Sequence, residues 1–185
     1  LGQYVIGALE PIATVHGTDI DTMDILDPAS VVDCFRARRP DVVVHLAALA
    51  SVPRAELDPG FAARVNVEGT LVLLDELRRA GVSALVYASS CSVYGDAGAK
   101  PIVESSPLAP RSVYAVTKLA GERHVLLHHR TGGPPAIVLR FFNVYGPGQL
   151  ADSPYSGVLS LFVSWALAGK RPEIHGDGGQ TRDFV

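Results

Sequence analysis

Short apolar runs alternate along this chain with longer stretches whose apolar residues recur at helical spacing. Leu1-Gly2-Gln3-Tyr4-Val5-Ile6 is apolar and helix-like, and Ile12–Val15 is a β-branched run that predicts a strand leading to Gly17-Thr18-Asp19. Pro28 opens a helix through Val31, Val32 and Phe35, with Arg36, Arg38 and Arg39 near its C-terminal end, where the helix dipole favours cations. Asp41–Leu46 is nearly continuous in apolar residues, as a parallel strand covered on both faces requires. A helix over Phe61–Arg79 follows, apolar at Val65, Leu71, Leu74 and Leu77 and ended by Gly81. Ala84–Ala88 predicts a strand, Tyr114–Arg130 a long helix closed by Gly132-Gly133-Pro134-Pro135, and Ala136–Phe142 a further strand. Strands separated by helices of a dozen residues or more mean βαβ units and a parallel sheet, an α/β protein. After Gly148 the rhythm changes to a Ser-, Pro- and Gly-rich loop, an apolar helix over Val158–Ala168, then Pro172-Glu173-Ile174-His175 and a glycine-rich turn. The expected division is therefore residues 1–148 and the start of a smaller lobe over 149–185.

Composition narrows the functions. With 185 residues, 48% hydrophobic and 19% charged, the chain can bury one substantial core. A net charge of −3 leaves no basic footprint for nucleic acid and no polybasic membrane contact. No run of eighteen apolar residues is present, so no span of a bilayer is expected. Leu1-Gly2-Gln3-Tyr4 lacks a charged segment and a leader cleavage site, and two cysteines, Cys34 and Cys91, suit a reducing compartment; the expected location is cytoplasmic. The chain opens inside an apolar stretch and stops at Arg182-Asp183-Phe184-Val185 in mid-pattern, so it reads as part of a longer one.

Chemistry gathers at two places. Tyr114 and Lys118, four apart on a helix, lie on one face. An ammonium beside a phenol favours the phenolate and brings its pKa down from about 10, which would make Tyr114 a general base or acid. Taken alone, such a pair is common in helices with no catalytic role. Upstream, directly after a strand, stands Ala88-Ser89-Ser90-Cys91-Ser92-Val93-Tyr94-Gly95. Reactive groups in an open parallel sheet collect at the carboxyl ends of strands. A hydroxyl there can bind a substrate oxygen and share its proton with the tyrosine; otherwise the serines simply satisfy a turn.

In Ser89–Gly95, Tyr114-Ala115-Val116-Thr117-Lys118, Leu139-Arg140-Phe141-Phe142-Asn143-Val144-Tyr145-Gly146-Pro147-Gly148 and Gly176-Asp177-Gly178-Gly179-Gln180-Thr181-Arg182-Asp183-Phe184, the chain resembles the extended short-chain dehydrogenase/reductase family, whose members act on nucleotide sugars. The resemblance covers essentially the whole chain. It implies a Rossmann-type doubly wound fold, a tightly held NAD, a Ser90-Tyr114-Lys118 triad, a nucleotide-diphosphate sugar as substrate, and a homodimer in the full-length protein. Of the family's three phosphate-loop glycines only the last has a match, Gly2, and the first strand has none; as cut, the chain is expected neither to fold well nor to hold NAD. Asp19 matches the acid on the adenosine ribose, with Asp21 and Thr18 nearby; a carboxylate there repels a 2′-phosphate and favours NAD over NADP. Asp24-Ile25 resembles the pair at the adenine. Leu46-Ala47-Ala48 is similar to the small residues that let the cofactor lie on the backbone, and Asn66 to the family's asparagine on the next helix. By the same resemblance Phe141 touches the cofactor. Ser90, Cys91, Ser92, Tyr114 and Asn143 meet the sugar, and Arg182 grips the diphosphate, a use suited to a guanidinium fork.

Departures from the family pattern matter. Dehydratases of the family carry Asp-Glu where Cys91-Ser92 stands, so dehydration is disfavoured. Cys91 reads either as a small packing residue or as a nucleophile. Phe141 replaces the family's tyrosine, and the short Asp19–Asp24 turn looks more like the reductase branch. His45, His124, His128 and His129 have no metal-ligand spacing, so no metal is expected. Arg140, at a strand end, is open to a structural reading. The expected function is epimerisation through a keto sugar, against a nucleotide-sugar reductase or dehydratase and, from another class, an NAD-sensing module without turnover.

Overall fold

The computed structural model describes residues 1–96, 98, 101–149, 157–174 and 176–185. Three strands form one sheet in the order β1 (Val42–His45), β2 (Ala84–Ser90), β3 (Ala136–Phe141). β1 and β2 run parallel, Val42 opposite Ala84 and His45 opposite Tyr87, and β3 follows on the other side of β2, where Leu85 N–H donates to Pro135 C=O. The α/β Rossmann-type architecture expected from the alternating pattern is present.

Local chemistry explains the helix boundaries. α1 spans Gly2–Leu9. In α2 (Pro28–Arg38), Asp27 caps the first turn by accepting from Ala29 N–H, Pro28 sits where no amide is needed, and Arg36 and Arg38 occupy the last turn. Ser51 caps α3 (Val52–Leu57) and Asp58 caps α4 (Pro59–Ala63) in the same way. α5 (Gly69–Ala80) stops at Gly81, whose φ of 71° lies in the left-handed region where glycine has no Cβ penalty. α6 (Val113–Arg130) starts at Ser112, which accepts from Ala115 N–H. The main core joins Val31 and Phe35 of α2, Leu73, Leu74 and Leu77 of α5, Leu85 and Tyr87 of β2, and Val125 of α6. A second cluster, Leu49, Ala55 and Ala62, packs against Val113 and Tyr114 at the start of α6.

Two expectations are corrected. Ile12–Val15 forms no strand: Ile12 is 82% exposed, and no described residue pairs with the run. A strand is stabilised by its neighbours, and propensity without a partner leaves the backbone as coil. The single helix expected over Phe61–Arg79 is α4 and α5 with a π-helical turn, Arg64–Glu68, between them, in which Gly69 N–H reaches back five residues to Arg64 C=O.

The chain divides into two compact units, Leu1–Arg140 and Phe141–Val185. In the second unit α7 (Val158–Leu167) is apolar, and a cavity of about 710 Å³ lies between it and the Tyr145–Gln149 loop. The loop expected over 150–156 and His175 fall outside the described residues. Among the described residues no helix is long and apolar enough to cross a membrane, and no group of three His, Cys, Asp or Glu is placed to hold a metal ion.

Candidate active site

β2 ends in Ser89-Ser90, and the chain turns at once into a 3₁₀ turn, Cys91–Tyr94, capped by Ser90, whose hydroxyl accepts from Ser92 N–H at 3.2 Å. α6 brings Tyr114 and, one turn on, Lys118 to the same place. The Ser90 hydroxyl lies near enough to the Tyr114 phenol to favour its ionisation, and Cys91 near enough to disfavour it. Ser90, Cys91, Ser92 and Tyr114 thus meet at the carboxyl end of a central strand.

The electrostatics differ from the expected effect of Lys118 on Tyr114. Burial raises the Tyr114 phenol above its ordinary value of 10, outweighing the opposing effect of the Ser90 hydroxyl. The Lys118 ammonium lies over the ring of Tyr87, 4.5 Å from its centroid, rather than against the phenol oxygen. Burial pulls Lys118 down to about 8. In this arrangement the phenol of Tyr114 is neutral at pH 7.

Behind the pair run two buried polar networks. Asn66, in the π turn, accepts from Leu49 N–H at 2.7 Å and donates to Leu49 C=O at 3.3 Å and to Thr117 Oγ1 at 2.9 Å. Its amide is fully spent on protein, so it holds the loop after β1 against α6 and presents nothing to open space. Thr70 donates to Asn66 C=O at 2.8 Å and lies 3.0 Å from His45 Nε2, so the imidazole is the donor there. Burial first, and the charge of Lys118 second, hold His45 down at about 3, hence neutral. In the other network Arg140 donates to both carboxylate oxygens of Glu122 (Nε to Oε2 at 3.0 Å), to Tyr94 Oη at 2.8 Å and to Glu104 C=O at 3.0 Å, while Ser89 donates to Glu122 Oε2 at 3.0 Å. Burial pushes the Glu122 carboxyl up, but its bonds to Arg140 and Ser89 hold it below the usual carboxylate range.

Residues expected at a cofactor fall in both compact units. Gly2 opens α1, and a Cβ built on it would stand 3.9 Å from Leu46 Cδ1, so these two are neighbours. Ala47 is exposed and Ala48 half-buried. Asp19 is exposed, its carboxylate accepting from Ile20 N–H at 2.7 Å. Asp24 accepts from Leu26 N–H at 2.8 Å, and the Ile25 side chain is buried against Gly69. In the second unit Phe141 is half-buried at the end of β3. Asn143 pairs with Phe184, and its amide donates to Asp183 C=O at 2.8 Å; Arg182, the residue before Asp183, is exposed.

The sequence model of the NAD dependent epimerase/dehydratase family matches residues 6–185. The chain belongs to that family. It is 41% identical over 163 residues to the UDP-glucose 4-epimerase of Mycolicibacterium smegmatis, covering 88% of this chain and 51% of that protein. It is 39% identical over 162 residues to the dTDP-glucose 4,6-dehydratase of Streptomyces antibioticus, covering 88% and 47%. Among solved structures it is similar to the UDP-glucose 4-epimerase of Thermotoga maritima with UDP-glucose, with a TM-score of 0.90 at 29% identity, covering all of this chain and 65% of that one. The chain spans about half the length of the curated relatives it matches.

Within this family member, sequence reasoning overlooked Glu122, Thr117, Thr70 and Tyr87. Glu122 carried a readable signal: it lies one turn beyond Lys118 on the same face. The others are ordinary core positions in sequence, and only the tertiary fold makes them partners.

Proposed function

We propose that this chain is the cofactor-binding part of an NAD-dependent nucleotide-sugar epimerase, UDP-glucose 4-epimerase-like, with Ser90, Tyr114 and Lys118 as its triad. The observation that carries this reading is the nearness of the Ser90 hydroxyl to the Tyr114 phenol at the carboxyl end of β2, with Lys118 one turn away. The residues fit a dinucleotide: α1 begins at Gly2 with no side chain capping its amides, Leu46-Ala47-Ala48 line the neighbouring loop, and the Asp19 carboxylate is exposed for a ribose. When bound, NAD would supply the acceptor, and then the donor, of the hydride at the sugar carbon. Tyr114 removes the proton of the sugar hydroxyl and later gives it back; the neighbouring Ser90 hydroxyl favours its phenolate. Ser90 also steadies the developing carbonyl of the keto sugar. Asn143 meets the sugar, and Arg182 helps hold the nucleotide diphosphate, about which the sugar turns over. The same reading makes the full-length protein a cytoplasmic homodimer, with 149–185 opening the substrate lobe.

The likeness to a dTDP-glucose 4,6-dehydratase favours dehydration as the second reading. Both reactions begin with the same oxidation, but elimination of water needs an acid near the leaving hydroxyl. Cys91 and Ser92, the residues after Ser90, offer none. Offering the intact protein UDP-, dTDP- and GDP-hexoses and following products by NMR tests the choice. Accumulation of the C4 epimer without net use of cofactor is expected. A 4-keto-6-deoxy product, or stoichiometric consumption of reduced cofactor, would overturn the epimerase reading.

A further inference from the structure

The structure carries one inference beyond the triad itself, resting on the reading that Lys118 is catalytic. We propose that Tyr87 is the positioning residue for Lys118: its ring face on β2 carries the ammonium and sets where that charge sits in the site.

Three observations converge. Tyr87 is 1% exposed and Lys118 3% exposed, and the ammonium stands 4.5 Å over the ring centroid, within the roughly 6 Å at which a ring quadrupole attracts a cation. Among the described residues no carboxylate lies within ion-pair distance of Lys118, and Glu122, one turn along the same helix, is turned to Arg140. An ammonium buried without a carboxylate needs another source of negative potential, and the ring supplies it. The third observation is how tightly the ring is fixed. Gly121 sits three residues after Lys118, and a Cβ there would collide with the Tyr87 hydroxyl and approach Cζ to 3.0 Å. The aromatic plane is therefore seated directly on α6, in the space that a glycine leaves. The ring also meets His45, centroids 5.5 Å apart and tilted by 52°.

The titratable groups around Lys118 are His45 from β1, Tyr87 from β2, and Tyr114 and Glu122 from its own helix. His45 is neutral, Tyr114 and Tyr87 are pushed up by burial, and Glu122 is neutralised by Arg140. The ring face is thus the group that opposes the burial of the ammonium. With Lys118 held at about 8, the charge present at neutral pH depends on that face.

The test reads Lys118 directly, through the pH dependence of its acetylation in the intact protein, followed by mass spectrometry. Tyr87→Phe keeps the face and removes the hydroxyl, so the midpoint of Lys118 is expected to stay in place. Trifluoro- and pentafluorophenylalanine in place of Tyr87 keep the ring's shape and progressively remove its negative face. The midpoint should then fall stepwise, by about one pH unit at full fluorination, and the basic limb of the kcat profile should move with it. Tyr87→Leu should give a similar fall if its cooperative melt shows a folded protein. An unmoved midpoint across the fluorinated series would overturn the proposal, as would an equal shift in Tyr87→Phe. Lys118→Met separates the two ideas: undiminished turnover in that variant removes the catalytic reading, whereas the acetylation series still judges the Tyr87–Lys118 relationship.

Discussion

Glu122 and Arg140, eighteen residues apart in sequence, close on each other as a two-toothed ion pair, with side-chain exposures of 1% and 18%. The pair joins α6 to β3, and through Ser89 and Tyr94 it also joins both to the turn that holds Ser90. Removing one partner leaves the other charge buried and uncompensated, which typically costs about 3–5 kcal/mol. Arg140→Leu in the intact protein is expected to lower the unfolding free energy by that order, read from its denaturation curve. Arg140→Lys should recover only part of the loss, because a point charge cannot span both carboxylate oxygens. Equal stability of the leucine and lysine variants would show that the fork geometry is not what matters.

Tyr114→Phe should leave the substrate KM nearly unchanged and cut kcat by about 10²–10⁴, the usual worth of a positioned acid–base group. Steady-state kinetics on the intact protein decides it, and a kcat within a few-fold of the parent would take Tyr114 out of the chemistry.

Asp19→Ala should weaken NAD and narrow the discrimination against NADP, since both the hydrogen bonds to the ribose and the repulsion of a 2′-phosphate depend on one carboxylate. Calorimetric titration with each cofactor measures the ratio. If the preference stays where it was, the ribose acid is another residue, with Asp21 next to be tried.

His45 predicts a pH dependence of stability. Its folded pKa is lowered from 6.5 to about 3, so between those values the unfolded chain binds a proton that the folded chain does not. Stability from this group is therefore complete above pH 6.5 and is lost as pH falls towards 3, at up to roughly 1.4 kcal/mol per pH unit. Urea denaturation at pH 7.5 and pH 5 should show the loss. His45→Gln should flatten that slope, although it lowers the stability at pH 7.5; an unchanged slope would place the acid sensitivity elsewhere.

What was legible in the sequence follows the physics of each element. β1, β2 and β3 were readable because each is a short, nearly continuous apolar run set between helical stretches, and α2 and α6 because their caps and periodicity agree. That Tyr114 and Lys118 share a face was readable because they stand four apart on one helix, whereas the nearness of Ser90, well upstream, to Tyr114 depends on how α6 packs on β2. Ile12–Val15 misled because a strand's stability belongs to its partners. The neutral phenol of Tyr114 was hidden too: spacing puts an ammonium one turn away, but whether it faces the oxygen or the Tyr87 ring depends on a strand that packs from elsewhere. Asn66 was recognised as a position, yet its work, clasping Leu49 and Thr117, joins segments as far as 51 residues apart.

The π turn at Arg64–Glu68 sets the angular phase between two halves of one helix. Each residue of an α-helix advances about 100° around the axis, so a single deletion within 64–68 would rotate one half against the other by that much. Keeping Leu73, Leu74 and Leu77 in the core would swing Asn66 away from Leu49; keeping Asn66 in its clasp would turn those leucines toward solvent. The extra residue thus lets one continuous rod serve two masters, the oil of the core and the polar clasp behind the site. Length at this turn is consequently more constrained than side-chain identity at its exposed positions.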